Sequence, residues 1–194
     1  MKPLKYIALI AALVAAPALA QTQPSPATNT CNASVVPDMV LGDYQIAAGP
    51  LQMLVAGNAI YPDPETTGTG KIYAGPLNEF MVQMTPPIPD FRLEETDRLQ
   101  ADWYWDALPT GNNAPGLYIS SSDLELLTKC TIREMPRFIG TFRTLSQQGD
   151  PLDHTIRVVM ALPDWLIGSW RFEATTANGV VRGLRYVIFD RTAP

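Results

Sequence analysis

The sequence predicts an all-β protein, either an antiparallel β-barrel or a β-sandwich, with one short helix. From Leu51 onward, short apolar segments alternate with Gly, Pro, Asn and Asp, which is typical of β proteins with many turns. Over Phe91–Asp106, on both sides of a polar turn at Glu95–Asp97, apolar and polar side chains alternate with a period of two, as in a strand that buries one face. Because one short helix cannot cover an apolar sheet, more sheet must cover it.

The N-terminus has the pattern of a cleaved secretory signal over residues 1–20. Two lysines precede an apolar run over residues 6–16, and an Ala-Leu-Ala triplet ends the segment. The apolar run is shorter than the roughly 20 residues that span a bilayer, so we expect no membrane insertion after signal removal. The mature chain is therefore predicted to be periplasmic or secreted.

The rest of the chain is predicted to hold a polar, flexible leader over residues 21–34 and a single β domain over residues 35–194. Removal of the two signal lysines leaves twelve basic residues against nineteen acidic ones, a net charge of −7. Proteins bind nucleic acids and anionic membranes through clustered Lys and Arg, and this chain has no basic cluster. Nucleic acid is therefore not a predicted partner.

The cysteine and histidine content limits the chemistry. Cys31 and Cys130 are the two cysteines, and in an exported chain such a pair predicts a disulfide. The single histidine, His154, follows Gly149-Asp150-Pro151 and is expected on a surface loop, because no nucleophile motif accompanies it. With both cysteines paired, one histidine cannot assemble a zinc site, so no metal, no cofactor and no catalytic residue is predicted.

In chain order, the first predicted elements are a hairpin, a turn and a strand. Leu51–Ala56 and Ala59–Tyr61 are strands that flank Gly57-Asn58, since both turn residues tolerate positive φ. Gly68-Thr69-Gly70-Lys71 is predicted to be a glycine-rich turn, because the first glycine and the final Ser or Thr of a phosphate-binding loop are missing. Asn78–Thr85 is a strand that three prolines end.

The strand pattern over Phe91–Asp106 places two tryptophans on one face. Trp103 and Trp105 lie two residues apart, so both side chains point the same way, and their simplest role is core packing. If the sheet closes around a cavity, these indoles line it together with Phe142 and Trp170 as ligand-binding residues.

One helix and four strands complete the prediction. Ser122 and Glu125 have the spacing of a capping box, which predicts a helix that ends near Cys130. Asn178-Gly179 is the predicted turn of the last hairpin. The four strands form a meander over Arg137–Thr144, His154–Ala161, Leu166–Thr175 and Val180–Asp190.

A near-repeat, IGTFR at 139–143 and IGSWR at 167–171, opens two of these strands. Its glycines, Gly140 and Gly168, are expected at a bulge or bend where the sheet curls. The triplet Gly168-Ser169-Trp170 resembles the G-x-W element of lipocalins, and residues 166–191 look like a barrel hairpin of that family. This resemblance covers fewer than 30 residues. It implies a lipocalin-like barrel that carries a small apolar ligand without covalent chemistry.

Three functions are compatible with these features, and non-catalytic binding of a small apolar ligand inside a β-barrel is preferred. The first alternative is a module that binds an envelope protein, or inhibits an exported enzyme, through the proline-rich connections Pro62–Thr69 and Leu108–Pro115. The second is a carboxylate-dependent carbohydrate-active enzyme. Asp102 and Asp106 lie about 13 Å apart on one strand. Glycosidase pairs are separated by roughly 5 to 9.5 Å, so either aspartate would need an acid from another strand.

Overall fold

Ten strands and two helices are formed by the part of the chain that the computed structural model describes, residues 30–55, 58–96, 121–176 and 179–192. The helices are α1 (Pro37–Val40) and α2 (Ser121–Thr128), and a 3₁₀ turn covers Ile132–Glu134. The strands are β1 (Gly42–Ala48), β2 (Leu51–Val55), β3 (Asn58–Asp63), β4 (Thr66–Ala74), β5 (Phe80–Met84), β6 (Phe91–Glu95), β7 (Arg137–Leu145), β8 (Pro151–Leu162), β9 (Trp165–Thr176) and β10 (Gly179–Arg191).

Eight of these strands close into an antiparallel barrel. Around the barrel the order is β1, β4, β5, β6, β7, β8, β9 and β10. β10 then pairs back with β1, from Tyr44 opposite Arg191 to Ala48 opposite Val187. The hairpin of β2 and β3 continues one wall, because β2 pairs with β10 over residues 182–184. The predicted all-β class is therefore confirmed, and it takes the form of a barrel.

Alternate residues of each strand fill the barrel interior with apolar side chains. On β10, Val187 and Phe189 are buried, whereas Arg182 and Asp190 face outward and are exposed. Buried side chains from the other strands join the same core, among them Ile46, Ile72, Val82, Leu93, Phe138, Ile156 and Met160. Each fully buried side chain of this kind stabilises the fold by about 1.5–3 kcal/mol. The interior is therefore the main source of stability.

One end of the barrel is closed by residues that precede β1. Val35, Met39 and Leu41 pack against the interior core, and Val40 is fully buried. The Tyr44 hydroxyl donates a hydrogen bond of 2.6 Å to the Val40 carbonyl oxygen. Burial raises the pKa of Tyr44 to about 12. The interior at this end is therefore packed with side chains.

A second, smaller core lies on the outer face of β8 and β9. Helix α2 covers this face, where Leu124 is fully buried together with Val159 and Ile167. A disulfide joins Cys31 to Cys130, with the two Cα atoms 5.4 Å apart. The predicted disulfide is confirmed. It ties the segment before β1 to the end of α2.

The C-terminal strands agree with the prediction to within about three residues at each end. β5 also lies inside its predicted segment. Both predicted hairpin turns lie one residue too late, because β3 begins at Asn58 and β10 begins at Gly179. The helix ends before Cys130 as predicted, but it begins at Ser121. Ser122 is therefore inside the helix and is not its cap.

Two predicted turns are strands in the structure. Gly68–Lys71 lies inside β4, and Pro62–Thr69 contains the end of β3 and the beginning of β4. A Cβ on Gly70 would lie 2.6 Å from Ile46 Cδ1, so this glycine makes room for a side chain of the adjacent strand. The turn prediction was wrong because inward-facing glycines remove the apolar alternation that identifies a strand.

Gly140 and Gly168 allow close approaches and do not form bulges. The pairing of β7, β8 and β9 continues past both glycines without a shift of register. A Cβ on Gly140 would lie 2.6 Å from the Phe91 ring, and one on Gly168 would overlap the Arg157 carbonyl oxygen. Each glycine therefore leaves space for a neighbouring group, which is a different reason from the predicted bulge.

Several predicted features lie outside the described residues. They are the signal segment, the Leu108–Pro115 connection, and the part of the predicted strand that carries Asp102, Trp103, Trp105 and Asp106. The described part of that strand is β6, which ends at Glu95. In the described ranges, no helix has both the length and the apolar character needed to cross a membrane.

Candidate functional site

An aromatic cluster lies inside the barrel on β6, β7, β8 and β9. Strand pairing places Phe142 opposite His154, and His154 opposite Phe172. The Phe142 ring stacks between Phe91 and His154, with centroid distances of 4.7 and 4.5 Å. The Trp170 indole is tilted against Phe142 at 5.9 Å and against His154 at 5.8 Å. Such aromatic pairs contribute about 0.5–1.5 kcal/mol beyond burial, so the cluster fixes the orientation of Trp170.

His154 is a buried member of this cluster, and its predicted position on a surface loop is wrong because β8 already begins at Pro151. Trp170 Nε1 donates to His154 Nδ1 at 3.0 Å, and His154 Nε2 lies 2.7 Å from Thr144 Oγ1. An indole N–H can only donate, so the neutral imidazole carries its proton on Nε2 and donates it to Thr144. Burial lowers the pKa of His154, and the Asp153 charge opposes this effect.

A cavity of about 210 Å³ lies beside Trp170. Its apolar wall consists of Ile46, Ala48, Met84, Ile88 and Trp170. The cavity has a structural cause. β5 ends at Met84, whereas β4 extends to Thr66, so the first residues of β4 have no β5 residue beside them. Gly68 also lines this wall and contributes no side chain. A missing strand neighbour and a missing side chain together leave the space.

Arg185 is the charged side chain that lines the cavity among the described residues. It shares the inward face of β10 with Val187, and its side chain is only 13% exposed. Its Cζ lies 6.0 Å from the centroid of the Trp170 ring, a cation–π distance. Nη1 donates to Thr66 Oγ1 at 3.2 Å, and Nη2 lies 3.6 Å from Asp63 Oδ2. Burial lowers the pKa of Arg185, but a guanidinium remains charged at physiological pH.

A wider groove of about 600 Å³ adjoins the cavity. The two spaces have four lining residues in common, Thr69, Met84, Thr85 and Ile88. Other side chains of the groove are mainly polar, such as Gln45, Lys71 and Gln83. The groove therefore lies beside the cavity, along β4 and the segment 85–88, where the Thr85 hydroxyl donates to the Thr69 carbonyl oxygen at 3.3 Å.

The structure brings two of the four predicted ligand-binding residues together. Phe142 and Trp170 belong to one cluster, but Trp170 lines the cavity while Phe142 lies behind the indole and supports it. Trp103 and Trp105 lie outside the described residues. The predicted disulfide cysteines lie on the outer face of the barrel, away from the cavity lining.

Sequence reasoning did not identify Arg185 or the threonines that line the cavity. One signal was present: on β10, Arg185 occupies an inward position in the alternation that contains Gly183, Val187 and Phe189. A charged residue at such a position must have a partner or a function. The threonines Thr66, Thr67 and Thr69 gave no signal, because they fall in the predicted connection and glycine-rich turn, and Thr85 gave none because it ends the predicted strand Asn78–Thr85.

Within the described ranges, no group of three or more His, Cys, Asp or Glu side chains is placed to hold a metal ion. Comparison of the chain with protein-family models, with curated proteins and with solved structures finds no match in any of the three. The geometry of the cavity is therefore the guide to function.

Proposed function

We propose that the chain is an exported, non-catalytic protein that binds a small, largely apolar molecule inside its barrel. The observation that carries this proposal is the cavity of about 210 Å³ beside Trp170. Elsewhere among the described residues, the interior is filled with apolar side chains. Space bounded by an oriented indole and aliphatic side chains is the usual form of a small-molecule site in a β-barrel.

The size of the cavity limits the ligand. An apolar cavity of about 150 Å³ accommodates benzene. By the same measure a cavity of about 210 Å³ accommodates a body of roughly eight non-hydrogen atoms, such as one ring with a short substituent. A longer molecule would extend into the adjoining groove, whose polar side chains suit hydrated groups.

The arrangement of His154 supports binding in preference to catalysis. A general base needs a free nitrogen within hydrogen-bond reach of a substrate proton. Both ring nitrogens of His154 are occupied within the barrel wall, one by Trp170 and the other by Thr144. The histidine therefore orients the indole that lines the cavity.

Export of the chain is inferred from two features. The signal pattern over residues 1–20 predicts translocation. The disulfide between Cys31 and Cys130 suits an oxidising compartment. A periplasmic or secreted barrel with an internal ligand is the lipocalin-like mode of action that the Gly168-Ser169-Trp170 resemblance implies.

Gly68 provides a direct test of the cavity. A Cβ at this position meets nothing closer than Thr85 Oγ1 at 3.8 Å, so a side chain fits there and projects into the cavity. The full-length chain, Gly68→Leu and Gly68→Ala are exported, purified and extracted with organic solvent, and the extracts are compared by mass spectrometry. We expect a small molecule with the wild-type protein and with Gly68→Ala, at a near-stoichiometric level, and none with Gly68→Leu.

The same three proteins are titrated with a neutral probe, benzyl alcohol, by ligand-observed NMR. Binding to the wild-type protein that Gly68→Leu reduces by at least tenfold supports the proposal. Equal binding to the wild-type protein and Gly68→Leu, or no recovered compound and no probe binding, would overturn it. Thermal unfolding shows whether each variant is folded.

A further inference from the structure

We infer that the ligand of this barrel is a small carboxylate, an organic acid whose apolar body packs on Trp170 and whose carboxylate binds Arg185. This inference rests on the proposed function, because it names the chemical class of the molecule in the same cavity. It comes from an inward-facing cation, Arg185, whose partners among the described residues do not use all of its N–H donors.

Arg185 is an unusual residue for its position. The side chain is 13% exposed and lies at the end of an otherwise apolar interior, where removal of the charge from water is costly. An aliphatic residue at this position would be enough for hydrophobic packing. Val187, on the same face of β10, is such a residue and is fully buried. Asp63 supplies one negative charge at 3.6 Å, and the place of the cation in the cavity lining points to a second, anionic partner there.

The described partners of Arg185 leave part of its guanidinium unused. A guanidinium has five N–H donors in a planar fork. One donates to Thr66 Oγ1 at 3.2 Å, and Asp63 lies 3.6 Å away, beyond hydrogen-bond length. The Asp63 side chain is 57% exposed, so it faces mainly water. Arg185 is part of the cavity lining, and the inference places its unused donors there.

The remaining cavity wall matches the two parts of such an acid. Ile46, Ala48, Met84 and Ile88 form a surface for a ring or a short alkyl chain, and Trp170 covers one side. The Thr66 hydroxyl, which accepts from Arg185 at 3.2 Å, can donate to a carboxylate oxygen. A planar carboxylate fits the guanidinium fork with two parallel hydrogen bonds, which a neutral group of the same shape does not form.

The test compares acids with their isosteric amides. The full chain is titrated at pH 7.5 with benzoate and benzamide, and with hexanoate and hexanamide, by calorimetry or ligand-observed NMR. Because charge-assisted hydrogen bonds are roughly twice as strong as neutral ones, we expect each acid to bind at least about tenfold tighter than its amide. Arg185→Gln is expected to remove this preference.

Three further variants make the test more specific. Arg182→Gln is the matched control, since Arg182 lies on the outer face of β10 and pairs with Glu173 at 2.7 Å, and it should leave the preference intact. Asp63→Asn is expected to strengthen acid binding several-fold, because the ligand no longer competes with a neighbouring carboxylate. A purely structural role of Arg185 predicts no such gain. If Arg185→Gln does not fold, Arg185→Lys keeps the charge but not the fork, and should lose several-fold of the preference.

The outcomes separate the two proposals. Amide binding without any acid preference overturns the carboxylate assignment and leaves small-molecule binding in place. Failure of both acids and both amides to bind overturns both proposals. Displacement of benzoate by inorganic phosphate at similar concentration shows a general anion site and also overturns the carboxylate assignment.

Discussion

Substitution of Gly168 by alanine is a demanding test of the close contact between β8 and β9 in the barrel wall. A methyl group at this position would overlap the Arg157 carbonyl oxygen and would lie 2.7 Å from Val158 Cα. Both obstructing atoms belong to the backbone of β8, which pairs with β9 at this point. Backbone atoms cannot rotate aside as a side chain does, so the two strands must separate locally.

The cost of this separation can be estimated from the hydrogen bonds involved. The pair Val158 and Gly168 lies in the middle of the β8–β9 ladder, and both residues are buried. Loss of two buried backbone hydrogen bonds costs about 1–3 kcal/mol for each unsatisfied group. We therefore expect Gly168→Ala to destabilise the fold by about 3 kcal/mol or more, which lowers Tm by roughly 6–12 °C for a domain of this size.

Gly68→Ala is the matched control for this substitution. Its new methyl group meets nothing within 3.8 Å. Relief of glycine entropy in the unfolded chain favours alanine there by about 0.4–1 kcal/mol. Urea unfolding followed by circular dichroism measures both variants. A free energy of unfolding for Gly168→Ala within 1 kcal/mol of the wild-type value, or a larger loss for Gly68→Ala, would refute the described packing of β8 against β9.

Three other predictions concern pH, the disulfide and a buried hydroxyl. Folding lowers the pKa of His154, so the unfolded chain binds a proton at higher pH than the folded protein does, and the free energy of unfolding should fall as pH decreases below about 6.5. A urea midpoint that does not change between pH 7.5 and 5.5 contradicts this prediction. His154→Gln should make the stability less dependent on pH in this range. Replacement of Cys31 and Cys130 by serine opens a loop of 99 residues. It should lower the free energy of unfolding, measured with urea, by at most about 4.7 kcal/mol, and a loss of about 2–4 kcal/mol is typical. An unchanged free energy of unfolding argues against the disulfide. Ultraviolet titration should show an ionisation step with a pKa of about 12 that is absent from Tyr44→Phe. Ionisation of every tyrosine near pH 10 would contradict the burial of Tyr44.

The fold class was predictable because turn residues clearly separate the C-terminal strands. Segments 137–191 alternate in hydrophobicity and are separated by turn residues, so β7 to β10 were located closely. The first strands were less predictable. β1 was not predicted. Part of β4 was predicted to be a turn, because the inward positions Gly68 and Gly70 carry no side chains. Gly70 leaves space for the Ile46 side chain of β1, and this contact is visible only once the two strands are paired.

The candidate site was predictable only where it is aromatic. Phe142 and Trp170 could be assigned to the interior because they share an alternating face with apolar neighbours. The position of His154 was misjudged because a turn sequence precedes it, although its strand begins before the histidine. The partnership of Arg185 with Trp170 and Thr66 depends on strand register across the closed barrel, and local sequence does not contain that register.

Ligand binding inside the barrel is tested most directly by a methyl NMR experiment on the wild-type chain with bound benzoate. Binding in the cavity predicts intermolecular NOEs from the ring protons to the methyl groups of Ile46, Met84 and Ile88, which line the cavity together with Trp170. NOEs to exposed apolar side chains outside the barrel, such as Leu126 and Leu127 on α2, with none to the cavity methyl groups, would contradict it.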